Sequence, residues 1–363
     1  MIIISKLIQK LTAVSLLTAI LFLVSGCSED DVTLSQGARV ISDHANNPYV
    51  NAIPLLDDTI ALSNENEGSD TLEGESLFVW SGDQRYTEYG TLGFDGIMTL
   101  DTPQDTLHVF FENLSPNERD FILKVFYNYE EVSFCVLGVA VCEAEFVFSL
   151  EGNHEVTIPI QLDNNVIATD TINKLTVGIF ADPNLFSMTV DSSLWRPRGM
   201  LLNFEINYGF REELILYVEQ EEPVLKLDGL MFHGLMINQD FDPVLYQAYF
   251  PSNPLQVRRG EEVELAFLAN ATLNINEALE DYLIIAMLDW EQISMNGKPY
   301  LYVNVTDDNE NVGHHGRFTI EVDRDLGSYE FIAFIVANPV NENSDSNFFP
   351  LEMATRFTIE VIE

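Results

Sequence analysis

One stretch of this chain occurs twice. Arg119-Asp-Phe-Ile-Leu-Lys-Val-Phe-Tyr-Asn-Tyr-Glu-Glu-Val-Ser-Phe134 aligns without a gap on Glu280-Asp-Tyr-Leu-Ile-Ile-Ala-Met-Leu-Asp-Trp-Glu-Gln-Ile-Ser-Met295, 161 residues later. Asp120 falls on Asp281, Glu130 on Glu291, Ser133 on Ser294, and the aromatic Tyr129 on Trp290. Three further blocks keep the same order. Phe110 and Asn113 match Phe267 and Asn270 at an offset of 157, Phe180–Pro183 matches Val336–Pro339 at 156, and Glu205-Ile206 matches Glu360-Val361 at 155. Small changes of offset are what loop insertions produce in a shared fold. The chain therefore builds one unit twice, and that unit must bury its own core within about 140 residues.

The unit reads as β-structure. Leu107–Phe111, Phe121–Tyr127, Glu145–Leu150, His154–Leu162 and Leu175–Ala181 are short runs rich in Val, Ile, Phe and Tyr. Turn residues separate them: Asn117, Gly152-Asn153, Asn164-Asn165 and Asp182-Pro183. Val156–Ile160 alternates as a half-buried strand does, and Pro159 within it predicts a sheet edge. No long run has a period of 3.6 residues. The expected fold is all-β, with two tandem, duplicated, immunoglobulin-like β-sandwiches and a jelly roll as the other topology. We assign residues 76–211 to repeat 1 and 212–363 to repeat 2, with the join between Tyr208 and Pro223.

The amino end is of another kind. Lys6 and Lys10 precede the apolar run Leu11–Val24, and small residues follow. This is the layout of a secretory signal peptide, and the run is too short for a membrane span of about 20 residues. Val24-Ser-Gly-Cys27 resembles the lipobox of bacterial lipoproteins, with Val24 where that family usually has Leu. The resemblance implies removal of residues 1–26, lipidation of Cys27 (palmitate among the acyl chains), and a mature chain held on a membrane face outside the cytoplasm. That face is either the outer side of the cytoplasmic membrane or the outer membrane. Asp does not follow the cysteine directly, so the inner-membrane retention signal of enteric bacteria is absent. Ser28-Glu29-Asp30-Asp31 resembles a surface-export signal of Bacteroidetes lipoproteins and reads equally as a plain acidic tether. Residues 27–75 form that tether, with an edge strand expected somewhere in Val40–Leu62.

Charge excludes one class of partner. The chain has 17 basic and 58 acidic residues. Loss of Lys6 and Lys10 with the signal leaves 15 − 58, or −43. Such a surface repels nucleic acid and anionic headgroups. Disorder is not implied, since 47% of the residues are hydrophobic. Once Cys27 is set aside, Cys135 and Cys142 remain. A turn near Gly138 would bring them together as a disulfide, which the compartment permits; two packed free thiols are the alternative.

Motifs of catalysis are missing. There is no Gly-x-Ser-x-Gly elbow, zinc-binding His-Glu-x-x-His, phosphate loop or Rossmann glycine pattern. His314-His315 reads as a loop before the strand at Phe318. Two stretches are candidates for binding. Trp195-Arg196-Pro197-Arg198 gathers an aromatic ring and two guanidinium groups that suit an anionic glycan or an acidic peptide. Asn341, Asn343, Asp345, Asn347 and Glu352 place oxygens at positions 1, 3, 5, 7 and 12 of a calcium loop, with Asn at position 1, Ser346 at position 6 and no flanking helices. Asp307–Asn311 is a second acidic loop. Trp80, Tyr86 and Tyr89 form an aromatic group. The expected function is therefore non-catalytic: a lipid-anchored envelope protein presenting two sandwiches for binding or adhesion to a glycan or protein. A spacer or accessory subunit of an envelope complex is the alternative, and an extracellular hydrolase with an unrecognised acid pair the third reading.

Overall fold

Among the residues described by the computed structural model, every regular element is a strand. Those residues are 38–40, 76–87, 90–92, 97–139, 142–166, 172–184, 199–208, 225–228, 234–242, 247–249, 254–270, 281–304, 312–337, 348–350 and 355–363. The strands are β1 (Ala38–Val40), β2 (Ser76–Ser81), β3 (Gln84–Thr87), β4 (Gly90–Leu92), β5 (Ile97–Thr99), β6 (Leu107–Asn113), β7 (Arg119–Tyr127), β8 (Glu130–Glu131), β9 (Phe134–Val136), β10 (Cys142–Glu143), β11 (Glu145–Leu150), β12 (His154–Leu162), β13 (Asn173–Ala181) and β14 (Gly199–Asn207). Then follow β15 (Leu225–Asp228), β16 (Gly234–Asn238), β17 (Asp240–Asp242), β18 (Gln247–Tyr249), β19 (Leu255–Arg258), β20 (Glu261–Asn270), β21 (Asp281–Leu288), β22 (Glu291–Gln292), β23 (Leu301–Asn304), β24 (Val312–Val322), β25 (Gly327–Ala337), β26 (Phe348–Pro350) and β27 (Thr355–Ile362).

Each repeat is a sandwich of two sheets. In repeat 1, β10-β9-β12-β6-β2-β3-β4 lies against β1-β11-β7-β13-β14, whose β14 edge is extended by β26 of repeat 2; in repeat 2, β15-β24-β20-β16 lies against β19-β27-β25-β21-β22. Leu77, Val109, Phe111 and Ile158 of one sheet meet Phe121, Leu123, Val177 and Phe204 of the other in the first core. Leu265, Phe267 and Ile320 meet Tyr282, Ile284, Phe331 and Ile359 in the second. The grouping β2-β6-β12 against β7-β13-β14, repeated as β16-β20-β24 against β21-β25-β27, is the immunoglobulin-type division. A short parallel strand closes the last strand of each repeat: β5 on β14 and β19 on β27.

Register shows how faithful the duplication is. Phe121 pairs with Ala181 and Tyr127 with Leu175; Tyr282 pairs with Ala337 and Leu288 with Phe331. Those are the offsets of 161 and 156. The other two offsets need correction. Phe111 points into the first core and Phe110 does not, whereas Phe267 points into the second. An odd slip turns every side chain to the other face, so an inward residue such as Phe111 takes the place of Phe267, and 157 is wrong by one. At the carboxyl end, Lys174 pairs with Glu205 and Glu330 with Thr358. Glu205 therefore corresponds to Thr358, an offset of 153 where sequence suggested 155. A slip of two keeps the face, so periodicity could not detect it.

Two strand expectations also shift. The tether supplies an edge strand at Ala38–Val40, paired with β11, slightly before the expected stretch. Pro159 is at an edge only in part, because β9 takes over beside β12 from Ile160 onward. The join between the repeats, with Leu214–Val218, lies outside the described residues.

Candidate functional site

The sheets β7-β13-β14 and β21-β25-β27 are buried on both faces. Ile122, Phe126, Tyr129, Phe180 and Leu201 form a third apolar cluster with Leu283, Ile285, Met287, Trp290, Ile332 and Phe334. Phe334 contacts both Phe126 and Phe180, with ring centroids 5.7 and 5.9 Å apart. The repeats thus pack sheet to sheet, and the near-continuous apolar runs of β7, β13 and β21 are what double burial demands.

Matching turns from the two repeats meet at this interface. Asn128 and Tyr129 have φ of 51° and 68°; Asp289 and Trp290, their counterparts, have 53° and 68°. Successive positive φ values are those of a type I′ hairpin turn. A bulky aromatic at the second position costs roughly 1–3 kcal/mol and persists where its surroundings over-determine it. Tyr129 and Trp290 are 0% and 1% exposed, which supplies that constraint. The same bond fixes each turn: Asn128 N–H donates to Lys174 O at 2.8 Å and Asp289 N–H to Glu330 O at 2.7 Å. Just beyond, Glu131 N–H donates to Gln292 Oε1 and Gln292 N–H to Glu131 Oε2.

Repeat 2 also grips the loop that joins β13 to β14. Arg356 donates to Ala181 O at 3.0 Å and Asp182 O at 2.7 Å, and Trp290 Nε1 donates to Pro183 O at 2.9 Å. Arg356 is held in turn by buried Glu330 at 2.6 Å and lies over the Trp290 ring. Arg119 reaches Asp182 from within repeat 1. At the other stem, β26 of repeat 2 pairs with Met200–Leu202. The described residues on either side of 185–198, Ala181–Pro183 and Met200–Leu202, are therefore both held by the second repeat.

That loop carries Trp195, Arg196 and Arg198, which lie outside the described residues. So do Cys27, Asp307–Asn311, Tyr89 and the calcium-loop positions Asn341, Asn343, Asp345, Asn347 and Glu352. Within the span of those calcium-loop positions, Phe348–Pro350 is a strand. Cys135 and Cys142 are joined as a disulfide, directly opposite each other on β9 and β10 across the turn at Gly138. His314 and His315 sit on β24, not in a loop. His314 is buried near Tyr282 and its neighbour points to the other face, so the pair does not converge on one ion. Among the described residues no cluster of acids, His and Cys fits a metal ion.

The outer faces of the two β2-type sheets have diverged. In repeat 1, Phe78 stacks on Phe110 at 5.3 Å and Trp80 on His108 at 5.2 Å, all half-buried. Burial holds the His108 imidazole below its usual pKa. In repeat 2 the corresponding face carries Glu262, Glu321 and the Glu264–Arg317 ion pair.

No family model matches the chain, and no curated protein matches it. Solved structures similar to it include the C-terminal domain of the Streptococcus agalactiae AgI/II polypeptide BspA, at 9% identity over 79% of this chain and 100% of that one, with a TM-score of 0.23. The fibronectin(III)-like modules of Clostridium thermocellum CbhA align at 7% identity over 74% and 91%, with a TM-score of 0.20. Red sea bream transglutaminase aligns at 9% identity over 74% of this chain, with a TM-score of 0.20; the match spans 30% of that enzyme. None of these likenesses assigns an activity or ligand.

Proposed function

We propose that this is a lipid-anchored protein of the bacterial cell envelope whose two repeats act together as one non-catalytic binding unit. Its binding element is loop 185–198 of repeat 1, and its ligand is an anionic glycan or an acidic protein segment. The observation that carries this reading is the double grip of repeat 2 on the stems of that loop. A loop whose ends are fixed loses less conformational entropy when it binds. Trp195, Arg196 and Arg198 offer stacking and bidentate donors in a chain otherwise dominated by carboxylates. The sheet-to-sheet contact between repeats also suits the spacer reading, in which the pair serves as a stiff strut.

Two experiments test the proposal. Binding of the purified protein to arrays of acidic polysaccharides and envelope peptides should yield a ligand, and alanine at Trp195, Arg196 and Arg198 should weaken it at least tenfold, about 1.4 kcal/mol. Unchanged affinity would remove the loop from the proposal. Cys27→Ser should move the protein from the membrane to the soluble fraction; persistence in the membrane would remove the lipid anchor. Calcium at the loop beginning at Asn341 is tested separately, by the thermal midpoint with calcium against a chelator at matched ionic strength.

A further inference from the structure

Lys124 lies in the middle of β7, on the face that meets repeat 2, and has no solvent exposure. Packing does not require an amine there, since the counterpart in repeat 2 is Ile285, which is equally buried. A buried ion pair contributes little net stability compared with apolar packing. The surroundings of Lys124 suggest why the amine is present.

Two carboxylates converge on it. Glu131 Oε1 is in direct contact with Lys124 Nζ, and Glu145 Oε2 is 3.6 Å away. The sheet fixes both: Glu145 stands opposite Lys124 on β11, and Glu131 stands opposite Phe126 on β8, one place further along the same face. The second oxygen of Glu131, Oε2, accepts the Gln292 main-chain N–H at 2.8 Å. Ile122 and Phe126 flank the group on β7, and both belong to the buried cluster between the repeats. A nucleophile, an electrophilic carbon, a proton carrier and an oxyanion donor are thus assembled around a fully buried amine, with Glu131 and Glu145 14% and 25% exposed.

We propose that Lys124 and Glu131 condense to an intramolecular isopeptide bond, with Glu145 as the proton carrier. Glu145 takes a proton from the Lys124 ammonium and passes it to Glu131 Oε1, leaving a free amine beside a neutral acid. Nζ attacks Cδ of Glu131, and the negative charge forms on Oε2, where the Gln292 N–H receives it. Glu145 removes the second proton from nitrogen and delivers it to the Oε1 hydroxyl. The Cδ–Oε1 bond breaks, one water leaves, and Oε2 becomes the carbonyl of the new amide. Glu145 ends as it began, and no other reactant is consumed. The bond ties β7 to β8 at the contact between the repeats. The other buried pair, Lys174 with Glu205 at 2.6 Å, has no third carboxylate beside it among the described residues and stays ionic.

Mass spectrometry of a tryptic digest of the full chain tests this. Between Arg119 and Lys174 the sequence offers trypsin one site, Lys124. With the bond formed, the reduced chain gives peptide Asp120–Lys174 uncut at Lys124 and about 18 Da lighter than its sequence, one water. Fragmentation then places the link between Lys124 and Glu131. Lys124→Ile, which installs the residue of repeat 2, should give the peptide ending at Lys174 uncut and at its full sequence mass, and Glu145→Gln should give two separate peptides, cut after Lys124, at theirs. The proposal is overturned if the folded wild-type chain yields separate peptides Asp120–Lys124 and Val125–Lys174 at their sequence masses, or if the lost water maps to another pair. Because the wild-type digest alone decides between these outcomes, poor folding of a variant does not spare the idea.

Discussion

Glu131 and Gln292 hold each other reciprocally: the main-chain N–H of each donates to the side-chain oxygen of the other, at 2.6 and 2.8 Å. They occupy the same position in the two repeats, 161 residues apart. In a two-fold dimer, residue i contacts j and j contacts i at the axis. Here one chain supplies both sides, so the repeats pack as a fused pseudo-dimer whose contact sheets are the duplicated ones. Symmetry at this point is broken in residue type, because one member is Glu and the other Gln.

That asymmetry predicts the effect of Gln292→Glu. The amide Nε2 of Gln292 donates to Tyr129 O and Pro299 O, each at 2.9 Å. A carboxylate would face those two carbonyls with no donor of its own. The expected loss is about 3 kcal/mol or more, read as a lower urea midpoint. Gln292→Met, which removes the bonds without adding charge, should cost clearly less. Equal losses in the two variants would mean that the charge arrangement at the pseudo-axis is unimportant.

Arg356 is expected to be the most sensitive polar residue of the interface. It and Glu330 are 3% and 2% exposed. Arg356→Ala would leave the Glu330 carboxylate buried without its guanidinium and free two carbonyls of the loop stem. Truncating one partner of such a pair costs about 3–5 kcal/mol. Adding Glu330→Gln in the same chain should recover part of that loss. A fully additive double mutant would show that the two residues act independently.

Much of this was legible in the sequence. The strand runs, the offset of 161 and the turn at Gly138 follow from residue types and spacing. The interface was also written there, in Tyr282–Leu288 and Phe331–Val336: runs that stay apolar at both parities announce a sheet covered on both faces. Read singly, each run looks like any buried strand; its meaning comes from finding it at the same place in both repeats. Arg356 gave no such sign. Its importance depends on Ala181 and Asp182, 175 and 174 residues away, and no local pattern encodes that distance. The offsets at Phe110 and Glu205 failed because identity of a few residues fixes register less firmly than the alternation of faces.

His108 makes a prediction about pH. Burial beside Trp80 favours its neutral form and places its folded pKa below the unfolded value of 6.5. The unfolded chain therefore takes up the proton first as pH falls. The contribution of His108 to stability is complete above pH 6.5 and declines as pH drops from there through the folded pKa. Carboxylates titrate over part of the same range, so the difference between the wild type and His108→Phe is the quantity to follow. Thermal midpoints should separate in favour of the variant as pH is lowered from 8 to 5. A constant difference would mean that His108 stays accessible to protons in the folded chain.

The disulfide should matter to its hairpin more than to the whole molecule. Cys135 and Cys142 are seven residues apart and close a small loop at the outer end of the β9–β12 sheet. In the chain-entropy account a loop of that size contributes about 2.5 kcal/mol at most. The core of repeat 1 draws on Phe134 and Val136, whose strand β9 is also held by β12. Cys135→Ser with Cys142→Ser is thus expected to fold with a modestly lower midpoint, and reductant should lower the wild type by the same amount. Amide exchange should rise first at Cys142 and Glu143, while β6, β7 and β13 remain protected. Loss of protection across all strands of repeat 1 at once would show instead that the bridge supports the entire sandwich.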